Sequence, residues 1–230
     1  MSARSIHVCH LLPLALAVRA VSVPTTIWTH EQAVCRTRGW IENAVIRLGL
    51  CPFASKPFYE KTIRYAVHDS ASDEELIRSF FDEALRLLDA PTDQLSTTML
   101  IIPRYTGSID EFYELYEWLT DTLEDPEEEV LNNQVQPAFF HPSWTFDSLP
   151  ADSPLHFEKK APCAIINLLR RADLDRVVEE GLERGVVVNK QIAEHNARAL
   201  TEEGSVALRE IFATLGALEP REGSSASEYE

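Results

Sequence analysis

The chain is short of positive charge. Of its 230 residues, 21 are Lys or Arg against 37 Asp or Glu, a formal net charge of −16. Nucleic-acid affinity depends on Lys and Arg neutralising phosphates and releasing counterions, so this balance excludes a general nucleic-acid binder. It disfavours anionic membrane surfaces for the same reason. The apolar run at Val8–Val18 (VCHLLPLALAV) falls well below the roughly 20 residues that a spanning helix needs, so no stable membrane insertion is expected. Glycine is scarce, 8 residues against 13 Pro. There is no P-loop, no G-x-G-x-x-G and no G-x-S-x-G, which removes the usual motifs for nucleotide binding and for an α/β-hydrolase. No cofactor is implied. The four cysteines, Cys9, Cys35, Cys51 and Cys163, include no C-x-x-C pair, so neither a disulfide framework nor a thiolate zinc site is expected. His68, His156 and His195, with Asp69, Asp147 and Asp152, lack the tight spacing of a metal motif, and no metal is expected.

What is present begins with a distinct leader. Residues 1–30 contain no acid, carry Arg4 and Arg19, and offer Val18-Arg19-Ala20 as a cleavage site. They resemble a secretory or organelle-import sequence, and residues 1–28 are read as a leader or extension. The three thiols that remain after it point instead to a reducing compartment. Residues 219–230 (EPREGSSASEYE) read as a disordered tail, leaving 29–218 as one domain.

Within that domain the hydrophobic period changes repeatedly. Thr29-x-x-Gln32, Ser72-x-x-Glu75 and Ser108-x-x-Glu111 are capping boxes ahead of amphipathic segments. Ile63–His68, Thr97–Ile102, Val135–Phe140 and Ala164–Leu169 read as strands. The continuous apolar run Thr97–Ile102 suits a central strand covered on both faces. The proline-punctuated stretch after Cys51 reads as an approach to the first strand, and residues 141–162 as a long loop. Short helices are expected at Asp173–Glu180, from Asn189 to Leu200, and at Ser205–Leu215. The fold class is therefore α/β (α+β), a mixed sheet of about four strands covered by amphipathic helices, its last two strands antiparallel.

Several segments together resemble the domain-of-unknown-function family 1415. Trp40 leads into Leu48-Gly49-Leu50-Cys51-Pro52-Phe53-Ala54; Ile63-Arg64-Tyr65, Thr97-Thr98 through Pro103, and Phe140-His141-Pro142 with Trp144 and Phe146 follow in the family's order. Asn196 also falls in place. The family's R-S-P-x-P-x-x-H-L-L-R-E stretch is matched in part by Lys160–Arg171, where Asn167 stands for the histidine and Arg171 for the final acid. The resemblance spans about residues 33–200 and implies no reaction.

Candidate site residues come from residue chemistry. Cys-Pro-Phe-Ala also occurs in thiol-dependent glutathione-transfer enzymes, where a helix N-terminus lowers the thiol pKa; here a helix precedes Cys51, and its C-terminal dipole would raise it. His141, at a strand end, is the candidate acid/base, with Cys51 as nucleophile. Arg64, Asn167 and Arg170 are the expected lining of a pocket for a small anionic metabolite; Arg104, Lys160 and Arg171 also lie near strand ends. Cys163 is a candidate resolving thiol for redox work by Cys51. The alternative is a non-catalytic adaptor presenting the acidic Asp121–Glu129 edge or the aromatic 141–157 loop to a protein partner.

Overall fold

A computed structural model describes residues 28–220 apart from Ala71, Pro126, Glu128 and Glu129. The expected leader, save Trp28, and the tail beyond Pro220 lie outside the described residues. The domain edge is tied down where the tail was expected to start: Glu219 pairs with buried Arg36 at 3.0 Å and accepts from Gln32 at 2.7 Å.

Four strands form one mixed sheet in the order β1-β2-β4-β3. They are β1 (Ile63–Val67), β2 (Thr97–Ile102), β3 (Val135–Phe140) and β4 (Ala164–Arg170). Strands β1 and β2 are parallel, joined over α3 (Asp73–Asp89), while β4 runs antiparallel to both β2 and β3. Every residue of β2 is buried, as its continuous apolar run requires for a central strand. Edge strand β3 alternates buried and half-buried positions; it also carries Pro137, which an edge tolerates because no ladder N–H is lost to a neighbour.

The two faces of the sheet have separate cores. On one, Leu76, Phe80, Ala84 and Leu87 of α3 and Phe112, Leu119 and Leu123 of α4 (Ile109–Glu124) pack on Leu100, Ile102, Ile166, Leu168 and Phe139. On the other, Ala33, Val34 and Trp40 of α1 (His30–Trp40), with Ile41, Ala44 and Leu215, cover Tyr65, Met99, Ile101 and Ile165. The capping boxes at Thr29 and Ser108 are both formed, and Ser72 accepts the Glu75 N–H.

Three local features depart from the sequence reading. The first helix is not α-helical throughout: Ile41–Ile46 form a π-helical segment, and it ends with the Leu50 N–H donating to Val45 O at 2.9 Å. A short helix α2 (Ser55–Glu60), not an extended approach, precedes β1; Pro57 fits because it sits in the first turn, where no intrahelical N–H is needed. Helix α5 is longer than expected, covering Arg171–Glu183. The two helices expected after it are found as the two arms of α6 (Val188–Gly216), which meet at Gly204, where φ 78° and ψ 152° break the helical path.

Candidate functional site

Two of the segments that carry the family resemblance meet where the first helix ends: the Leu48–Ala54 turn follows it, and Phe140 packs on Trp40. The turn Leu48–Leu50 is fixed from across the chain: His195, on α6, donates from Nε2 to Leu48 O at 3.1 Å, and its Nδ1 accepts from Arg198 at 3.3 Å. Gly49 takes φ +67°, and a Cβ there would lie 2.9 Å from His195 Nε2. Residue 49 therefore has to be glycine both for its backbone angle and for the approach of the imidazole.

Cys51 follows directly, half-buried and unpaired. The Ala54 N–H donates to the Cys51 carbonyl oxygen at 3.2 Å, and the Phe53 and Ala54 N–H groups and Lys159 lie within electrostatic reach of the sulfur. Burial dominates and pushes the thiol up from its usual range, while the two N–H groups and Lys159 pull the other way. The expected helix does precede Cys51, and its thiol is raised chiefly by burial. What changes is the segment after it, which turns into α2 instead of approaching β1 directly.

Lys159 ends the 3₁₀ turn Pro154–Glu158 inside the expected loop. Its Nζ lies 5.2 Å from the centroid of the Phe140 ring, which in turn packs edge-on against Trp40 at 5.0 Å. Burial holds its ammonium below the usual lysine range, opposed by Glu158 and by Cys51. The Glu158 carboxylate accepts from the Asn196 side chain at 2.9 Å. Lys160 follows, its pKa lowered by burial and then by Arg209.

The other expected site residues do not join this cluster. His141 shares the alternation of Val135, Pro137 and Phe139, so its ring points to the opposite face from Phe140. It packs on Phe112 and Tyr105 at 5.3 and 6.1 Å, its Nδ1 accepts the Ser143 N–H at 3.1 Å, and burial alone holds its pKa near 4. Only its backbone reaches the Cys51 side, donating to Lys159 O at 3.0 Å. Arg64 is held bidentately by Glu83 at 2.7 and 3.1 Å. Asn167 accepts the Thr97 hydroxyl at 2.6 Å inside the sheet. The Arg170 guanidinium donates to the carbonyls of Leu87, Ala90 and Leu95, where α3 ends and the following turn begins. Five residues named for one pocket are thereby dispersed over both faces and two edges of the sheet. Cys163 is buried in the core that α1 covers, its thiol pushed up to about 12.

The family described as "Protein of unknown function (DUF1415)" matches residues 32–210. The chain belongs to that family. No curated protein and no solved structure matches it.

In this DUF1415 chain, sequence reasoning singled out Cys51 and passed over Lys159. A signal was available. Lys159 and Lys160 are the only Lys or Arg between Tyr105 and Leu169, an isolated pair of cations in an otherwise acidic stretch. Among the described residues no group of His, Cys, Asp and Glu could hold a metal ion, and no helix is long and apolar enough to cross a membrane.

Proposed function

We propose that this DUF1415 protein is a thiol-dependent enzyme acting on a small anionic electrophile, with Cys51 as nucleophile and the Lys159 ammonium favouring its thiolate. The observation that carries this reading is half-buried Cys51 in the turn ahead of α2, within electrostatic reach of half-buried Lys159, whose Nζ lies 5.2 Å from the centroid of the Phe140 ring. A cation beside a thiol favours the thiolate. In the step envisaged, the Cys51 S–H proton leaves to solvent and the thiolate, facing the Lys159 ammonium, bonds to the electrophilic carbon. The leaving group departs with its electron pair and takes a proton from water. The Phe53 and Ala54 amides favour the developing thiolate, as amide donors do wherever charge builds up. Lys160 and Arg209, cations close enough to perturb each other, support an anionic substrate.

The test uses an acyl phosphate as a small anionic electrophile, with adducts located by peptide mass analysis. Rapid acylation of Cys51, lost in Cys51→Ser and slowed at least tenfold in Lys159→Met, is expected. Acylation of Cys51 no faster than that of half-buried Cys35, and indifferent to Lys159→Met, would sink the reading. The adaptor alternative has less support, since its loop turns inward: Trp144 packs on Tyr113 at 6.2 Å, and Phe146 stacks on His156 at 6.2 Å.

A further inference from the structure

On the sheet face away from Cys51, a cleft of about 540 Å³ opens between α3 and α4. It lies where the parallel strands β1 and β2 end, bounded by Ser70 and Ser72 after β1 and by Tyr105 and Gly107 after β2. Crevices outside the carboxyl ends of parallel strands are the usual ligand positions of α/β sheets, and this volume falls in the range of small-molecule sites.

Apolar and aromatic side chains stand among polar ones in the lining. Leu76 and Ile77 of α3 face Leu115 and Trp118 of α4 across the cleft. Trp118 is 47% exposed, so a large indole surface is left open to whatever enters. Tyr105 is fixed in place, edge-on to Phe112 at 5.0 Å and to His141 at 6.1 Å. Gly107 makes room for it, because a Cβ there would stand 2.6 Å from the Tyr105 hydroxyl.

Three carboxylates, Asp73, Glu111 and Glu114, complete the lining. Glu111 spends one oxygen on the Ser108 N–H at 2.6 Å. Among the described residues no Lys, Arg or His forms an ion pair with any of the three. Their field is felt at Tyr105, whose hydroxyl is pushed up to about 12 by burial and then by these same carboxylates. An anion is therefore disfavoured. A metal ion does not suit the arrangement either, since the carboxylates do not gather into a group that could hold one. Separated negative charges set among apolar and aromatic side chains match a cation whose charges are spaced along a hydrocarbon stem. Carboxylates would take its ammonium groups, and the faces of Trp118 and Tyr105 attract cations through the ring quadrupole.

We propose that this cleft binds an aliphatic polyamine, its ammonium groups on Asp73, Glu111 and Glu114 and its methylenes along Leu76, Ile77 and Trp118. The site is independent of the chemistry assigned to Cys51.

Calorimetric titration of the full chain with spermidine at low salt tests it. Butylamine, magnesium ion and a trilysine peptide are run beside it, and circular dichroism checks each variant for folding. Saturable 1:1 binding of spermidine is expected, at least tenfold tighter than butylamine. Glu114→Gln and Trp118→Ala, both exposed positions on α4, should each weaken it at least fivefold. Asp82→Asn, an exposed carboxylate of α3 outside the cleft, should leave it unchanged. Absence of saturable binding overturns the proposal. So does equal loss in Asp82→Asn, or competition by magnesium with no effect of Trp118→Ala, either of which would mean diffuse counterion attraction. Tighter binding of the trilysine peptide than of spermidine would assign the cleft to a basic protein segment and overturn it as well.

Discussion

His195 holds the Leu48 carbonyl from 147 positions away in sequence, through Nε2 at 3.1 Å, and in doing so fixes the turn that delivers Cys51. The bond leaves no space for a side chain at Gly49, where a Cβ would come within 2.9 Å of that nitrogen. Gly49→Ala therefore meets two penalties, the left-handed backbone and the collision. It should lower stability by about 2 kcal/mol and slow alkylation of Cys51. His195→Ala keeps the glycine and removes one hydrogen bond, costing about 1 kcal/mol. Urea unfolding at unchanged m-value measures both; an alanine at 49 that leaves the midpoint untouched would show that the turn is not held in this way.

The same turn shows where sequence reading succeeds and stops. The capping boxes at Thr29 and Ser108, and the uninterrupted run of β2, are local signals that tertiary structure reinforces, and they are found as read. Strand order is not local: β4 enters between β2 and β3 because its apolar residues on both faces need cover on both sides. The separation of His141 from Cys51 was legible in the period of two along β3, which sets residues 135, 137, 139 and 141 on one face and Phe140 on the other. Lys159 was harder to see, because a 3₁₀ turn inside a proline-rich segment carries no periodic pattern.

Alkylation of Cys51 by iodoacetamide should follow a titration whose midpoint lies above the ordinary thiol value of 9.0, since burial outweighs the donors around the sulfur. Lys159 contributes positive charge that favours the thiolate, so Lys159→Met should move the midpoint further up and slow the reaction at neutral pH. A midpoint that moves down in this variant would contradict the assigned geometry.

Arg170 supports the end of α3 rather than an anion. Its guanidinium satisfies the carbonyls of Ala90 and Leu95 at 2.6 and 3.1 Å, with Leu87 as a third acceptor. Arg170→Ala leaves these acceptors without their charged donor and should cost about 3 kcal/mol of stability. Amide exchange should rise in the last turn of α3, while the rate of Cys51 acylation in the remaining folded protein stays as it was. A loss of acylation with unchanged stability would return Arg170 to a substrate-binding role.

His141 makes the folded chain sensitive to mild acid. Its ring packs between Tyr105 and Phe112, its Nδ1 accepts the Ser143 N–H, and burial holds its pKa near 4 against 6.5 for an ordinary histidine. Protonation would remove that acceptor and place a charge among aromatic rings. Below 6.5 the unfolded chain takes a proton that the folded chain refuses, so stability falls as pH drops and levels off near pH 4. The whole effect is about 3 kcal/mol at most. His141→Gln keeps an acceptor for Ser143 but cannot titrate, so its stability should change less over this window. His68, also lowered by burial, contributes to both proteins and cancels in the comparison. Urea midpoints from pH 7 to pH 4 supply the measurement. Converging curves, with the wild type losing its advantage as pH falls, are expected; parallel curves would mean that the imidazole is not sealed from solvent between α4 and the end of β3.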